Sequence, residues 1–430
     1  MLQKNWKQSL PATRSKISGL MLTTSLLACG TPAFGESLQE ALVSAYTYNP
    51  NLEAGRSNLR AVDETVAIAN SGYRPVISAS GSLTWENTKI GGDGGALAVD
   101  SNGNLTQGGI NRGADYGVGI SQPIFTGFQT TNRVRAAEAG VRSGRELLRN
   151  TEANILLQAV QAYVGVLSAR EGVKAYEDNL GRLNKEVQIA NERVKLTELT
   201  LTDLSQTELR RSASISGLAS TKAELKSARA FYANVVGHEP NDLRFPGPPA
   251  GLPRSVAEAQ AIALVENPLI VSALYNEQAA SATVDQVRGG LLPSASIEAS
   301  WGDEYNTSGV SFERSTLVAG RLNVPLYDGG ATHAAVRQAK QIHLAQIQTI
   351  AAVRAQVQQA VATAWSQLEA ARARAELGNA RKKNSQIALK GVRSEETIGQ
   401  RSLLDVLNAE QDILDSEVSV ILAQIGRAHV

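Results

Sequence analysis

The chain is written twice. Asn49-Pro50 returns as Asn267-Pro268, and Gly72 and Pro75 return as Gly290 and Pro293, all at an offset of 218. Farther along the offset becomes 202: Pro123 with Pro325, Gly127 with Gly329, Val134-Arg135 with Val336-Arg337, Asp203 with Asp405, and Glu208 with Glu410. Such self-similarity means one structural unit built twice. The drop of 16 falls between Pro75 and Pro123, so the matching segment Pro293 to Pro325 is shorter by that amount.

Proline ends or kinks helices, and its placement divides each copy. Of 13 prolines, Pro240, Pro246, Pro248, Pro249 and Pro253 crowd one stretch with Gly247 and Gly251. Residues 239–254 therefore read as a linker between a first repeat, 36–238, and a second, 255–424. No proline falls between Pro123 and Pro240 or after Pro325. In these free stretches Tyr176, Leu180, Leu183, Val187, Ala190 and Val194 recur at alternating spacings of four and three, a coiled-coil seam. The pattern predicts a helix from Gly127 to Lys195, a rod on the order of 100 Å at 1.5 Å per residue. A turn over Leu196 to Thr202 reverses it into a second helix ending near His238, and helices over about 329–424 repeat the arrangement. The competing reading is a bundle of shorter helices broken at Gly140, Gly165, Gly172 and Gly181.

Ahead of each helical stretch lies a period-two pattern. Ile77, Ala79, Gly81, Leu83 and Trp85 alternate with Ser78, Ser80, Ser82, Thr84 and Glu86; Ala295, Ile297, Ala299 and Trp301 alternate with Ser294, Ser296, Glu298 and Ser300. Strands about 76–87 and 114–124, then 294–302 and 315–325, make a hairpin in each repeat, with one set of side chains on each face. The Gly- and Asn-rich segment of residues 88–113 lacks the helix start or repeat period of a phosphate or calcium site and reads as an exposed loop. The hairpins are either half-buried soluble strands or transmembrane strands with an apolar outside and a polar lumen. Trp85, Trp301 and Tyr116 stand where an interfacial girdle would lie. Four strands cannot close a barrel, so a membrane-spanning reading requires several chains.

The first 35 residues have the form of an export signal. Lys4, Lys7, Arg14 and Lys16 form a basic region without an acid, Ile17 to Ala28 is apolar, and Ala33-Phe34-Gly35 offers a cleavage site. About 12 apolar residues are too few to span ~30 Å of hydrocarbon. Cleavage after Gly35 takes the net charge from +1 to −3. Leu26-Leu27-Ala28-Cys29-Gly30 is the competing lipoprotein reading, with Cys29 acylated. Charge is near balance, 42 basic against 41 acidic residues, which disfavours a nucleic-acid partner. A single cysteine and four scattered histidines supply no zinc site, and no motif implies a cofactor. Aromatics at 5% are thin filling for thick globular cores.

Hairpin, long helical hairpin and linker, repeated behind a signal segment, resemble the TolC family of outer-membrane channel-tunnel proteins. The matching runs are Glu36-Ser37-Leu38-Gln39-Glu40-Ala41-Leu42 with Asn49-Pro50-Asn51-Leu52, the junctions Gln122-Pro123-Ile124-Phe125-Thr126-Gly127 and Val324-Pro325-Leu326-Tyr327-Asp328-Gly329-Gly330, and the helix turn from Ile398 to Gln411. The resemblance implies a transmembrane β-barrel joined to a long α-helical barrel. It also implies a homotrimer with four strands per chain and twelve in all. The function implied is passive exit of drugs or secreted proteins through the outer membrane of a Gram-negative bacterium. A periplasmic adaptor and an inner-membrane efflux pump or ABC transporter would serve as partners. By position Asp405 matches a ring aspartate of the periplasmic aperture, Asn408 stands where a second aspartate is common, and Asp203 corresponds in the first repeat. Arg401 and Glu396 fall at gate contacts, with Arg401 expected to reach a neighbouring helix through Glu396. Repulsion within a ring of Asp405 copies is expected to raise their pKa values.

Two rivals stand beside this reading: a periplasmic coiled-coil scaffold without channel activity, and an exported hydrolase, for which no nucleophile–base motif is present. The C-terminus is expected to be incomplete. Thirty-five residues separate Asp203 from His238 but 25 follow Asp405, and Ile425 to Val430 departs from the helical pattern in the manner of a non-native tail.

Overall fold

The computed structural model describes residues 35–87, 98–99, 105–106, 110–247, 251–306 and 311–429. The expected export signal with Cys29, and most of the Gly- and Asn-rich segment, lie outside the described residues. From Glu36 onward the order is α1 (Leu38–Tyr48), α2 (Pro50–Ser71), β1 (Val76–Asn87), the short β2 (Ala98–Val99) and β3 (Leu105–Thr106), β4 (Ile110–Phe125), α3 (Gln129–Lys195) and α4 (Leu201–Val236). The second repeat follows as α5 (Val256–Glu266), α6 (Pro268–Arg288), a 3-10 turn, β5 (Ser294–Asn306), β6 (Ser311–Asn323), α7 (Ala331–Thr397) and α8 (Leu403–His429).

The repeated Asn-Pro is a helix start used twice. Asn49 Oδ1 accepts from Asn51 N–H, Asn267 Oδ1 accepts from Leu269 N–H, each at 3.0 Å, and the proline follows at the first helical position. An asparagine cap satisfies an orphan N–H, and proline there forfeits no hydrogen bond. The helices α3 and α7 run 67 residues each without a break. Scattered glycines cost each helix only about 1 kcal/mol apiece, which its packed face outweighs. In α3 the seam residues Leu183, Val187 and Ala190 are buried. The helix α8 likewise runs through Gly426 to His429, so the change of pattern at Ile425 does not end it.

Strands β1, β4, β5 and β6 form one antiparallel sheet in that order, leaving β1 and β6 as its edges. The strands reach farther than their sequence patterns: β4 starts at Ile110 and β5 ends at Asn306. Register obeys the repeat, for Val76 pairs with Ser121 and its counterpart Ser294 pairs with Asn323. Pro123, which has no N–H to give, sits at a register shift in β4. Where β4 turns into α3, Gly127 adopts φ +61°, and a Cβ there would meet the Gly289 carbonyl oxygen at 2.4 Å. Only glycine allows the two repeats this approach.

A hydrophobic core lies where α1 meets the long helices. Ala41 and Ala45 pack on Ala159, Ala162, Tyr163 and Val236; small side chains let these backbones come close. Tyr232 donates to Glu36 Oε1 at 2.6 Å, and Tyr163 lies 2.6 Å from the Arg244 carbonyl. Burial pushes both phenols up from their ordinary pKa.

Candidate functional site

Each long helical hairpin reverses in a turn of the same design. Thr197 (φ +61°) and its repeat counterpart Gly399 (φ +78°) supply the left-handed residue. Two residues short of each helix's second position stands a hydroxyl cap: Thr200 Oγ1 accepts from Asp203 N–H at 3.2 Å and Ser402 Oγ from Asp405 N–H at 3.2 Å. Each aspartate answers, its Oδ2 accepting from the cap's backbone N–H at 3.1 Å (Asp203) and 3.0 Å (Asp405). This is a capping box, with a carboxylate near the positive helix end. The Ser402 hydroxyl, 2.8 Å away, and its backbone N–H hold the Asp405 carboxyl below the usual carboxylate range, with Arg401 adding to the effect. Within one chain the cap thus lowers the carboxyl, whereas the expected rise belongs to a ring of several copies.

The other expected gate residues separate. Arg401 Nε donates to Glu395 Oε2 at 3.0 Å, within its own turn region. Glu396 instead accepts from Arg193 Nη1, on α3, at 2.5 Å. Asn408 accepts from Arg210 Nη2, on α4, at 2.9 Å. So Arg401 and Glu396 do not meet within the chain, and Glu396 and Asn408 each join the two repeats through an arginine of the first, Arg193 and Arg210. Arg193 also reaches Glu198 at 3.3 Å.

Beside these tips lies a charged cleft of about 610 Å³ between α3, α7 and α8. At its edge Glu410, fully buried, accepts from Arg182 Nε at 2.5 Å and from Arg393 Nη2 at 3.0 Å. Arg393 also donates to Glu186, whose carboxyl burial pushes up despite that arginine. Offset matching overlooks this cluster because it finds only like residues. The counterparts of Arg182, Glu186 and Arg193 at offset 202 are Asn384, Ala388 and Glu395. Here the repeats are complementary rather than alike. The available signal was charge at buried seam positions, such as Glu186 next to Val187.

At the sheet, register puts Ile77, Ala79, Leu83, Trp85, Tyr116, Val118, Ile120, Ile297, Trp301, Val318 and Leu322 on one face, and Ser78, Ser80, Ser82, Asp115, Ser300, Glu304 and Ser315 on the other. The expected girdle residues Trp85, Trp301 and Tyr116 share the apolar face, and Tyr116 meets Trp301 edge-on at 6.1 Å. A polar clamp that the sequence reading did not find sits among them. Asp303 receives Arg314 through both oxygens, at 2.8 and 3.0 Å, and the Tyr116 hydroxyl at 2.7 Å, joining three strands.

A sheet with one apolar and one serine-rich face, carried on paired helices of ~100 Å, defines a channel protein of barrel-and-tunnel type. A profile described as outer membrane efflux protein matches residues 41–233 and 261–428. The outer membrane efflux protein BepC of Brucella suis is 36% identical over 416 residues, 96% of this chain and 87% of that protein. The alkaline protease secretion protein AprF of Pseudomonas aeruginosa is 25% identical over 249 residues, 54% of this chain and 51% of that protein. The solved outer membrane protein VceC of Vibrio cholerae superposes with a TM-score of 0.73 at 16% identity, covering 91% of this chain and 93% of the other. The chain belongs to the outer membrane efflux protein family, whose solved members are TolC-type channels. It is thus an outer-membrane channel for efflux or secretion, with the fold of a transmembrane β-barrel continued by a helical tunnel.

Proposed function

We propose that three copies of this chain close a twelve-stranded barrel and a shared helical tunnel. The tunnel acts as a passive exit duct for drugs, for type I secreted protein, or for both. One observation carries the reading: β1 and β6 are unpaired edges of a sheet whose apolar face is continuous across all four strands. Open edges expose backbone groups at several kcal/mol each in hydrocarbon, so the edges must meet those of other copies. Passive conduction then requires an energy source elsewhere, supplied by an inner-membrane efflux pump or ABC transporter through a periplasmic adaptor. In this assembly Asp405 lines the periplasmic aperture as a cation-attracting ring. Asn408 weakens its second tier, and Asp203 is the first-repeat counterpart. Glu396 and Arg401 belong to the closed aperture, and the barrel's apolar face meets outer-membrane lipid. Light scattering on protein extracted by detergent from outer membranes tests the reading. A trimer that forms cation-selective channels in planar bilayers supports it; a water-soluble monomer with full helix content overturns it in favour of a periplasmic scaffold.

A further inference from the structure

We propose that Glu36 is the processed N-terminus of the protein in the outer membrane, and that the α-ammonium released there is the missing partner of the same residue's buried carboxylate. The chain divides into two units between Gly35 and Glu36. The channel fold takes hold at Glu36, which is 9% exposed and forms a parallel bridge with Leu243 of the linker. Its carbonyl accepts from Arg244 N–H at 3.2 Å and stands 2.8 Å from the Tyr163 hydroxyl. Ser37 then caps α1 in a capping box with Glu40.

The Glu36 carboxylate is half satisfied. Oε1 accepts from the Tyr232 hydroxyl at 2.6 Å, whereas Oε2 is buried and has no hydrogen-bond partner among the described residues. A buried charge without its full set of partners is costly, so the site calls for a donor, and best for a cation. The charged groups nearby are already committed. His238 Nε2, at the end of α4, lies 3.5 Å from Oε1 and is charged only when protonated. Glu40, on α1, accepts from Ser37 N–H at 2.8 Å. Arg244, from the linker, acts on Glu40 and on Tyr163.

Export cleavage supplies the cation. Water adds to the Gly35 carbonyl, the bond from that carbon to the Glu36 nitrogen breaks, and Gly35 departs as a carboxylate. The proton it gives up leaves the Glu36 nitrogen as an ammonium. An export peptidase is the class of enzyme that performs this step. A neutral amide with one N–H thus becomes a cation with three, joined to the same Cα as the carboxylate it serves. An opposite charge within ~4–6 Å favours both ionised forms. The carboxylate is needed in return, because Glu36 stands one residue before the cap of α1, where the positive helix end repels a bare cation. Cleavage also comes before docking: once Arg244 and Tyr163 hold the Glu36 carbonyl, the residue cannot extend into a peptidase.

Amine labelling tests the pairing. Protein extracted by detergent from outer membranes is treated with formaldehyde and cyanoborohydride over a range of pH, and methylation of its N-terminal peptide is followed by mass spectrometry. The mass should place the N-terminus at Glu36 with a free amine. Glu36→Ala keeps the amine and removes the carboxylate. Beside it, the parent protein should label about tenfold more slowly at neutral pH, with a labelling midpoint about one pH unit higher. Because Glu36→Ala also takes the acceptor from Tyr232, a second variant keeps Glu36 and inserts one alanine after Gly35. Cleavage then leaves the ammonium one residue away, and this protein should label like Glu36→Ala. Equal midpoints in all three overturn the pairing and leave Oε2 to water. A parent chain that begins elsewhere, at a lipid-bearing Cys29 above all, overturns the processing site. Oligomeric state and conductance, measured on the same extract, decide the channel reading independently.

Discussion

Arg193 and Glu396 form a 2.5 Å ion pair between α3 of the first repeat and α7 of the second. Arg401, five residues past Glu396, is occupied by Glu395. A latch between hairpins must join separate elements, so the pair on different helices resists their separation and the pair within one turn does not.

In planar bilayers, Arg193→Ser and Glu396→Gln should therefore raise the conductance of the resting channel, and Arg401→Ser should raise it less. Equal opening by Arg401→Ser would return the latch to Arg401.

Glu410 should matter most to stability at this end. Glu410→Ala leaves Arg182 and Arg393 without their shared carboxylate and should lower unfolding stability by about 2–3 kcal/mol. Glu186→Gln should be near neutral, since Arg393 keeps Glu410. The carboxyl of Glu186 is raised in the fold. Whatever stability this titration contributes is fully present below its unfolded pKa near 4.5 and is lost as pH rises through the raised folded value. Glu186→Gln should flatten that slope in denaturant titrations followed at several pH values.

The long helices and both hairpins were legible because periodicity and repetition are local properties of sequence. Asn49-Pro50, Gly127 and Asp203 each had a like partner at a fixed offset. The ion cluster and the Asp303–Arg314 clamp were not legible, because they join unlike residues brought together by packing. Glu208 and Glu410 make the point: they occupy the same repeat position, yet Glu208 is exposed and Glu410 is buried between two arginines. Only the contact between the repeats distinguishes them. Asp405 shows the converse, since its position was evident but the hydroxyl cap governing its charge was read simply as turn sequence.

That cap leads to a pH prediction. The Asp405 carboxyl is held low by Ser402, so its ionised form persists as pH falls, and the capping contribution is lost only as pH drops through the lowered folded value. The cation preference of the channel should follow the same course. Ser402→Ala should cost about 1 kcal/mol of helix stability and move the loss of selectivity to higher pH. Selectivity recorded against pH in bilayers checks this; an identical midpoint in the variant would mean that ring repulsion, and not the cap, sets the titration.

Ile120 and Ser121 are neighbours in β4 on opposite faces of the sheet. Ile120 shares its face with Val118, Trp301 and Val318, the surface proposed to meet hydrocarbon, whereas Ser121 shares the serine-rich face, proposed to line the lumen, with Ser78 and Ser300. An arginine on the lipid face near the bilayer midplane costs roughly 2–4 kcal/mol, while a lumen-facing one remains hydrated. Ile120→Arg, opposite Ile77 near the helix-joined end of the sheet, should therefore reduce folding stability in vesicles by less than the midplane cost and deplete the protein from outer membranes. Ser121→Arg should insert normally and alter conductance instead, because its charge enters the water-filled path. Tyr116→Phe supplies a subtler comparison, keeping the ring and removing the hydroxyl given to Asp303. It should cost about 1–2 kcal/mol, since Arg314 still holds both Asp303 oxygens. Urea unfolding in lipid vesicles, followed by tryptophan emission, ranks the three. Should Ser121→Arg prove as damaging as Ile120→Arg, the assignment of faces to lipid and lumen would be reversed or void.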